Sequence, residues 1–149
     1  MVANRSILQK SEIQFIALEK IKYPLINQFY KQFYKKGLAS KDEDVFILKH
    51  HSIVSSVKLK KIEQSLLLSA VVTATNERGK GYASLLIKTL LQQSSTAIYC
   101  FPYLHLELFY QQFGFKQLPI EQVPKAVSKQ FNRYNNKQSL LLMCYQSKR

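Results

Sequence analysis

One segment near the middle of the chain, residues 66 to 92, most constrains how the chain can fold. Its first part, Leu66 to Thr75, is a nearly continuous apolar run that contains the β-branched pair Val71 and Val72. Such runs are typical of strands that are buried on both faces. Its second part repeats apolar residues at helical spacing, in a stripe broad enough for a helix that lies on a sheet. The segment therefore predicts a buried strand, a short loop and a helix in succession.

The loop of this segment contains Arg78-Gly79-Lys80-Gly81, in which two glycines alternate with two cations. The first N–H groups of a helix have no acceptor within the helix, and the helix dipole makes that end positive. Glycine lets the backbone approach a ligand closely, and Arg78 and Lys80 add positive charge. The loop is therefore predicted to bind an anion, of which phosphate is the obvious one.

Two better-known phosphate motifs are absent from this loop. A P-loop requires Gly-Lys-Ser/Thr after four intervening residues, and the dinucleotide motif requires a third glycine where this chain has Ser84. Taken alone, the string Arg-Gly-Lys-Gly is more typical of a basic turn before a helix.

Composition limits the class of protein. With 149 residues, 46% of them hydrophobic, residues 1–149 are expected to form a single globular domain. Cys100 and Cys144 lie in apolar runs and are predicted to be buried reduced thiols, which fits a cytoplasmic location. The first residues lack the apolar stretch of a signal peptide, and no apolar segment is long enough to span a membrane, so no membrane partner is expected.

The charge of the chain is strongly positive. It has 22 Lys and Arg against 9 Asp and Glu, a formal net charge of +13. A field of this sign predicts weak binding of polyanions without sequence preference, although a genome-wide bias in composition gives the same charge. The sequence leaves the oligomeric state open, a homodimer included.

Periodicity and turn residues predict the remaining elements. Before the central segment they are a strand over Ile13–Leu18, a helix over Pro24–Lys36, and a hairpin of Asp44–Lys49 and Ile53–Lys60. After it they are a strand over Thr96–Phe101, a short helix over Leu104–Phe113, a strand over Phe115–Leu118, a helix over Pro124–Tyr134 and a strand over Ser139–Tyr145. The strand, helix and strand around the glycine loop imply two parallel neighbours joined by a right-handed crossover.

The hairpin raises two local questions. In the later half of its second strand, Val57 and Leu59 alternate with Lys58 and Lys60, which predicts one dry and one wet face. At its turn, adjacent His50 and His51 point to opposite sides of an extended chain, and no further ligand cluster accompanies them. They are predicted to be loop residues, and no metal site is expected.

Two separated motifs resemble those of the GNAT superfamily of acyl-CoA N-acyltransferases. The first is the acetyl-CoA loop Arg/Gln-x-x-Gly-x-Gly/Ala, present as Arg78 to Ala83. The second is aromatic-Tyr-x-x-x-Gly-Phe, present as Phe109 to Phe115. The resemblance implies an α/β fold with a mixed, mostly antiparallel central sheet. In this fold two parallel strands splay apart, and helices flank both faces of the sheet.

The resemblance also implies an activity: an acetyl group passes from acetyl-CoA to a primary amine by direct attack in a ternary complex. Amides of residues matching Gly79 to Ser84 hold the pyrophosphate, backbone groups matching Val71 and Thr73 pair with the pantetheine, and Tyr110 protonates the departing thiolate. The implied cosubstrate-binding residues are Val71, Thr73, Arg78, Gly79, Lys80, Gly81, Tyr82, Ala83 and Ser84.

The chain departs from the family pattern at three points. Pro102 or Tyr103 stands where many members carry an asparagine before the tyrosine motif. Thr75 stands where many members carry a proline, and Leu66 to Thr75 contains no acid to serve as general base. Glu107 lies one helical turn before Tyr110, but an exposed helix carboxylate is its more common role. Without the motif, Tyr110 would be interpreted as one of nine tyrosines that pack an aromatic core.

The alternative class is a basic binding module that keeps the CoA fold and acts on nucleic acid, because fold alone does not decide function. No RNA-binding aromatic strand or recognition helix is evident, and basic residues are spread along the chain. Acetylation of an amine carried by RNA, such as an aminoacyl-tRNA, combines the two hypotheses. The sequence does not identify the acceptor.

Overall fold

A computed structural model describes residues 12–147, so the N-terminal residues and the basic end Lys148-Arg149 lie outside the described part. The described residues contain seven strands and four α-helices in the predicted order. The strands are β1 (Gln14–Ala17), β2 (Glu43–His50), β3 (Ser52–Ile62), β4 (Ser65–Thr73), β5 (Ile98–Cys100), β6 (Lys116–Gln117) and β7 (Met143–Tyr145). The helices are α1 (Tyr23–Phe33), α2 (Tyr82–Gln92), α3 (Glu107–Gln111) and α4 (Lys125–Asn135).

The strands form one mixed sheet in the order β1-β2-β3-β4-β5-β7-β6. β4 and β5 are parallel, with Leu66 opposite Ile98 and Leu68 opposite Cys100. β1 with β2, β5 with β7, and β6 with β7 are antiparallel. This confirms the predicted fold class and the predicted parallel neighbours. The pairing with β5 ends at Leu68, whereas β4 continues to Thr73.

Strands β1, β5, β6 and β7 are shorter than predicted, and β5 and β7 differ most. β5 covers three residues because Pro102 follows it closely and cannot donate to a ladder. β7 begins at Met143, because Leu140 before it forms only an isolated bridge with Tyr103 and donates its N–H to the Asn135 side chain at 2.9 Å. Apolar composition indicates burial at these positions without fixing how many residues join the sheet.

The predicted wet face of β3 is wrong at Lys58, while Lys60 is partly exposed. Ser55 and Ser56 are fully buried, and Lys58 is only 6% exposed. The Lys58 ammonium lies 3.1 Å from a Glu43 carboxylate oxygen and donates to the Leu38 carbonyl at 3.1 Å. A lysine can be buried when its charge is paired and hydrogen-bonded in this way, and the partner comes from another strand.

Packing divides the chain into two compact units, while the expectation of a single domain stays a prediction. The first unit comprises the chain up to Lys58 together with Ala70–Leu90. In its core, buried α1 side chains pack with residues of β2 and of the β4 end. They are Tyr23, Ile26, Phe29 and Tyr30, with Val45, Ile47, Val72 and Ala74.

The second unit comprises Leu59–Ser69 and the chain from Leu91 onward. Its core contains buried residues of α4 and of β5 and β7, among them Val127, Phe131, Tyr99 and Cys144. Cys100 and Cys144 are both free and buried, as predicted. Within residues 12–147, no helix combines the length and the apolar character needed to cross a membrane.

Candidate functional site

The glycine loop lies between the end of β4 and the start of α2. A 3₁₀ turn, Thr75–Glu77, follows β4, and α2 begins at Tyr82. The Leu85 N–H donates to the Gly81 carbonyl at 3.0 Å, which forms the first turn of the helix. The N–H groups of residues 82–84 precede this bond and have no acceptor within the helix. The start of the helix thus presents three N–H groups without helical acceptors, together with the positive end of the helix dipole, to the loop.

Both glycines of the loop adopt left-handed backbone conformations, with φ of +80° at Gly79 and +83° at Gly81. A Cβ built at either position meets no heavy atom within 4 Å beyond its chain neighbours. Glycine is therefore required here by backbone conformation and not by crowding. The space around a Cβ at either glycine is open, so the loop backbone can approach an anion such as pyrophosphate closely.

The two cations of the loop are less free than the sequence suggested. The Arg78 Nε lies 3.5 Å from the Thr73 carbonyl oxygen. The Lys80 ammonium donates to a Glu77 carboxylate oxygen at 2.9 Å, and this hydrogen bond, with the attraction of the same carboxylate, raises the pKa of Lys80. Glu77 thus offsets part of the positive charge of Lys80. Backbone amides are the more dependable donors of this loop.

The first helical residue, Tyr82, connects the loop to the β2–β3 hairpin. Its hydroxyl lies 3.3 Å from His50 Nδ1. The ring of His50 stands 4.8 Å from that of His51, whose Nδ1 is 3.3 Å from a Glu12 carboxylate oxygen. Among the described residues, no group of three or more His, Cys, Asp or Glu side chains could hold a metal ion.

The C-terminal half of β4 is held by β3. The Ser55 hydroxyl donates to the Val72 carbonyl at 3.0 Å and lies 3.1 Å from the Thr73 hydroxyl. The Ala74 N–H donates to the Val54 carbonyl at 2.9 Å. Val71 and Thr73, the residues predicted to contact pantetheine, are half-buried on this supported strand.

A buried hydrogen-bond cluster that the sequence analysis missed lies next to these residues. The Tyr30 hydroxyl of α1 is 2.8 Å from the Ser56 hydroxyl of β3 and donates to the Ala70 carbonyl of β4 at 3.1 Å. Ala70 has a φ of +54°. Ser56 and Ala70 lie 26 and 40 positions after Tyr30 along the chain, so no local pattern pairs them with it. The pair Glu77 and Lys80, by contrast, has a helical spacing that the sequence could have revealed.

Tyr110 lies on α3 in a group of aromatic rings. It is 7% exposed and makes edge-to-face contacts with Phe109 and Phe115, at ring-centroid distances of 5.1 and 5.5 Å. Burial, and next the Cys100 thiol, raise the pKa of Tyr110 well above its ordinary value. Its phenol is therefore neutral at physiological pH and keeps the proton that a general acid would donate.

The ring of Tyr110 is packed, but its hydroxyl is not fully buried. No side-chain hydrogen bond joins it to another described residue, yet no fully buried side-chain nitrogen or oxygen among the described residues lacks a partner. Its oxygen therefore retains contact with solvent while the ring is packed. A group at this position can exchange a proton without leaving the core.

Glu107 is engaged by amides. A Glu107 carboxylate oxygen accepts from the Gln111 side chain at 3.3 Å and also from the Gln117 side chain. Both donors are exposed glutamine side chains, so the carboxylate is already engaged at the protein surface. This supports a helix-surface role over that of a proton acceptor.

Comparisons with known proteins add evidence on the fold. No protein-family model matches the sequence, and no curated protein matches it. Solved structures do match, among them N-acetylglutamate synthase from Neisseria gonorrhoeae complexed with coenzyme A and L-arginine. The match has a TM-score of 0.69 at 10% identity and covers 92% of this chain and 34% of that protein. The chain thus spans about a third of the length of that synthase.

Two smaller proteins match over nearly their whole length. A spermidine N-acetyltransferase chimera from Vibrio cholerae and hSSAT has a TM-score of 0.63 at 19% identity, over 91% of this chain and 97% of that one. An acyl-CoA N-acyltransferase from Pseudomonas aeruginosa has a TM-score of 0.63 at 14% identity, over 89% and 97%. The chain therefore has the fold expected from the two motifs, that of GNAT acyl-CoA N-acyltransferases.

Proposed function

We propose that this protein is an acetyl-CoA-dependent N-acetyltransferase that transfers an acetyl group to a primary amine. The observation that carries the proposal is the glycine loop between β4 and the start of α2. It has the sequence of the acetyl-CoA motif, and both of its glycines are left-handed with open space around them. CoA complexes among proteins of the same fold support the choice of cosubstrate. The acetyl group, as opposed to a longer acyl group, rests on the resemblance of the loop.

Three groups of residues would have separate roles in this reaction. Amides of Gly79 to Ser84 would bind the pyrophosphate, and backbone groups of Val71 and Thr73 would align the pantetheine. Such positioning lowers the entropic cost of bringing thioester and amine together. Tyr110 would donate its phenolic proton to the thiolate as the tetrahedral intermediate collapses.

β4 contains no acidic residue that could act as the general base for the acceptor amine. We infer that the acceptor amine loses its proton to water or solvent. The rate should then rise with pH toward the pKa of the acceptor amine, because only the neutral amine is a nucleophile.

The experiment that tests this function is release of free thiol from acetyl-CoA over a panel of acceptors: polyamines, amino acids, aminoglycosides, peptides and charged tRNA. We expect acceptor-dependent thiol release and acetylation of one class, identified by mass spectrometry. A propionyl-CoA and a long-chain acyl-CoA arm test the acyl preference. Binding of CoA without turnover on any amine would favour the binding-module hypothesis.

One observation favours a role for nucleic acid beside this activity. Lys125, Lys129 and Arg133 lie at intervals of four along α4, and all three are exposed. Residues four apart share one face of a helix, about 6 Å apart along its axis. Although basic residues are spread along the sequence, folding gathers these three into a stripe on a helix without acidic residues.

We propose that this stripe binds phosphate backbones weakly and without sequence preference. Filter binding to tRNA should fall steeply between low and physiological salt, as counterion release requires. Replacing the three cations of α4 by glutamine should reduce the salt slope by about two to three. Tight, salt-insensitive binding of one RNA would instead favour an RNA-borne amine as acceptor.

A further inference from the structure

We propose that Tyr30 is a positioning residue for the cosubstrate: its buried hydroxyl, supported by Ser56, holds Ala70 in the left-handed conformation that orients the next residues of β4. The inference rests on the proposed function, because Val71 and Thr73 are the proposed pantetheine contacts. It assigns a role to a hydrogen-bond cluster that neither sequence motif includes.

The first observation is the backbone of Ala70. Its φ is +54°, in the middle of a strand that runs from Ser65 to Thr73. A residue with a Cβ disfavours this region by roughly tenfold relative to its ordinary conformations. Such residues persist only where surrounding contacts hold them, and they cluster at functional sites.

The second observation is the contact that holds Ala70. The Tyr30 hydroxyl lies 3.1 Å from the Ala70 carbonyl oxygen, to which it donates. Because a phenol has a single proton, the 2.8 Å contact with Ser56 must be a bond that the serine donates to the tyrosine oxygen. Tyr30 and Ser56 are both fully buried. The Ala70 carbonyl accepts its bond from this buried pair, and loss of that bond would cost free energy, so the cluster favours this backbone conformation over others.

The third observation is the position of Ala70 along β4. The strand pairs with β5 as far as Leu68, and the left-handed residue follows two positions later. One left-handed residue in a strand bends it and re-aims the groups beyond it, as in β-bulges beside active sites. Ala70 thus separates the paired part of β4 from Val71 and Thr73.

Loss of the Tyr30 hydroxyl should let Ala70 relax toward ordinary strand geometry. The apparent dissociation constant for CoA then rises by the inverse of the fraction of molecules that keep the competent backbone. Glycine at position 70 removes the steric cost of positive φ. With glycine there, the backbone needs the hydroxyl less.

The test is calorimetric titration with CoA of the wild type, Tyr30→Phe, Ala70→Gly and the double variant. We expect Tyr30→Phe to weaken CoA binding by about tenfold in the Ala70 background, as the conformational preference requires. In the Ala70→Gly background the same substitution should change affinity by less than about twofold. Ser56→Ala should weaken binding in the same direction by less, and it serves if Tyr30→Phe does not fold.

Tyr23→Phe is the matched control. Tyr23 lies on the same helix, is 6% exposed, and its hydroxyl donates to the Glu43 carbonyl at 2.6 Å. It makes no such bond to β4. Both tyrosine variants should lower the melting temperature, but only Tyr30→Phe should weaken CoA binding.

Two results would overturn this inference while leaving the proposed function intact. One is that the wild type binds CoA and Tyr30→Phe binds it with a dissociation constant within twofold of the wild-type value. The other is an equal loss of affinity from Tyr30→Phe in the Ala70 and Ala70→Gly backgrounds. A folded wild type that does not bind CoA would contradict the proposed function itself, and the inference with it.

Discussion

The glycine loop and the Tyr110 cluster are two opposite ways of building a functional group. At the loop, side chains are exposed and the active groups are backbone amides, fixed by the conformations of Gly79 and Gly81. At Tyr110, the ring is packed against Phe109 and Phe115 and the active group is one hydroxyl. The loop should therefore be sensitive to backbone strain and tolerant of changes in charge. At Tyr110, loss of the hydroxyl oxygen should lower the activity but leave the stability of the protein nearly unchanged.

The largest expected effect is on chemistry at Tyr110. Tyr110→Phe keeps the packed ring and removes the proton donor, so kcat should fall at least about tenfold, since general acids typically contribute 10²–10⁴-fold. The KM for acetyl-CoA and the melting temperature should stay nearly unchanged, because the lost hydroxyl makes no side-chain hydrogen bond within the described chain. Steady-state kinetics with an identified acceptor and a thermal melt measure both.

Tyr134→Phe is the control, since Tyr134 is 42% exposed on α4 in the same unit. It should leave kcat unchanged. A kcat for Tyr110→Phe within about twofold of wild type would be too small for a lost general acid. The tyrosine would then serve packing alone, and water would protonate the thiolate.

The next effect is on CoA binding at the loop. Gly81→Val forces a β-branched residue toward a φ of +83° and adds methyl groups where the loop backbone would approach the phosphate. Strain of about 1–3 kcal/mol corresponds to a loss of affinity of roughly 5- to 150-fold. Lys80→Ala should change affinity by less than about twofold, because salt and Glu77 already offset the charge.

Calorimetric titration with CoA compares these variants, and circular dichroism checks that each is folded. Gly81→Ala should fall between the wild type and Gly81→Val. A folded Gly81→Val with wild-type affinity, or Lys80→Ala weaker than Gly81→Val, would place the pyrophosphate elsewhere.

The free energy of unfolding at alkaline pH should depend on Tyr110 but not on the exposed glycine loop. Burial raises the pKa of Tyr110 in the folded state above its unfolded value of about 10. Above pH 10 the unfolded chain releases a proton that the folded chain retains, so stability falls as pH rises, by up to about 1.4 kcal/mol per pH unit for one such group. Below pH 10 this contribution is constant.

Tyr110→Phe should make this alkaline loss shallower, measured as the slope of the urea midpoint between pH 9.5 and 11. Substitutions in the exposed loop should leave the slope unchanged. Equal slopes for wild type and Tyr110→Phe would mean that the folded protein does not hold the phenol neutral.

The smallest effect concerns charge in the loop. Glu77→Gln removes the carboxylate that pairs with Lys80 at 2.9 Å. CoA affinity should rise by up to about threefold at low salt and lose that gain at high salt, because exposed charges are screened. A large gain that persists at high salt would mean that Lys80, and not the amides, dominates phosphate binding.

Much of this architecture could be predicted from local patterns. Helical and strand spacing predicted the element order, and the glycine loop was evident because its conformation depends on two glycines that lie only two positions apart in the sequence. The basic stripe of α4 follows from spacings of four and was missed although it was present in the sequence. The burial of Lys58 was not predictable, because its partner Glu43 lies on another strand.

The Tyr30 cluster shows the same limit within the candidate site. Apolar spacing predicts the helix α1, but not that the hydroxyl of its Tyr30 meets Ser56 and Ala70. Likewise, a left-handed alanine has no sequence signal, since alanine is not a residue that favours positive φ. Long-range hydrogen bonds and the strain they hold appear only in the folded chain.

The most direct test of the pyrophosphate site is hydrogen exchange of individual amides with and without CoA, measured by NMR. Saturating CoA should slow exchange at residues 79–84, whose amides would donate to the phosphate oxygens, and leave the N-terminal turn of α4 unchanged. Bound CoA with unchanged exchange at residues 79–84, and protection elsewhere, would contradict the placement of the phosphates at this loop.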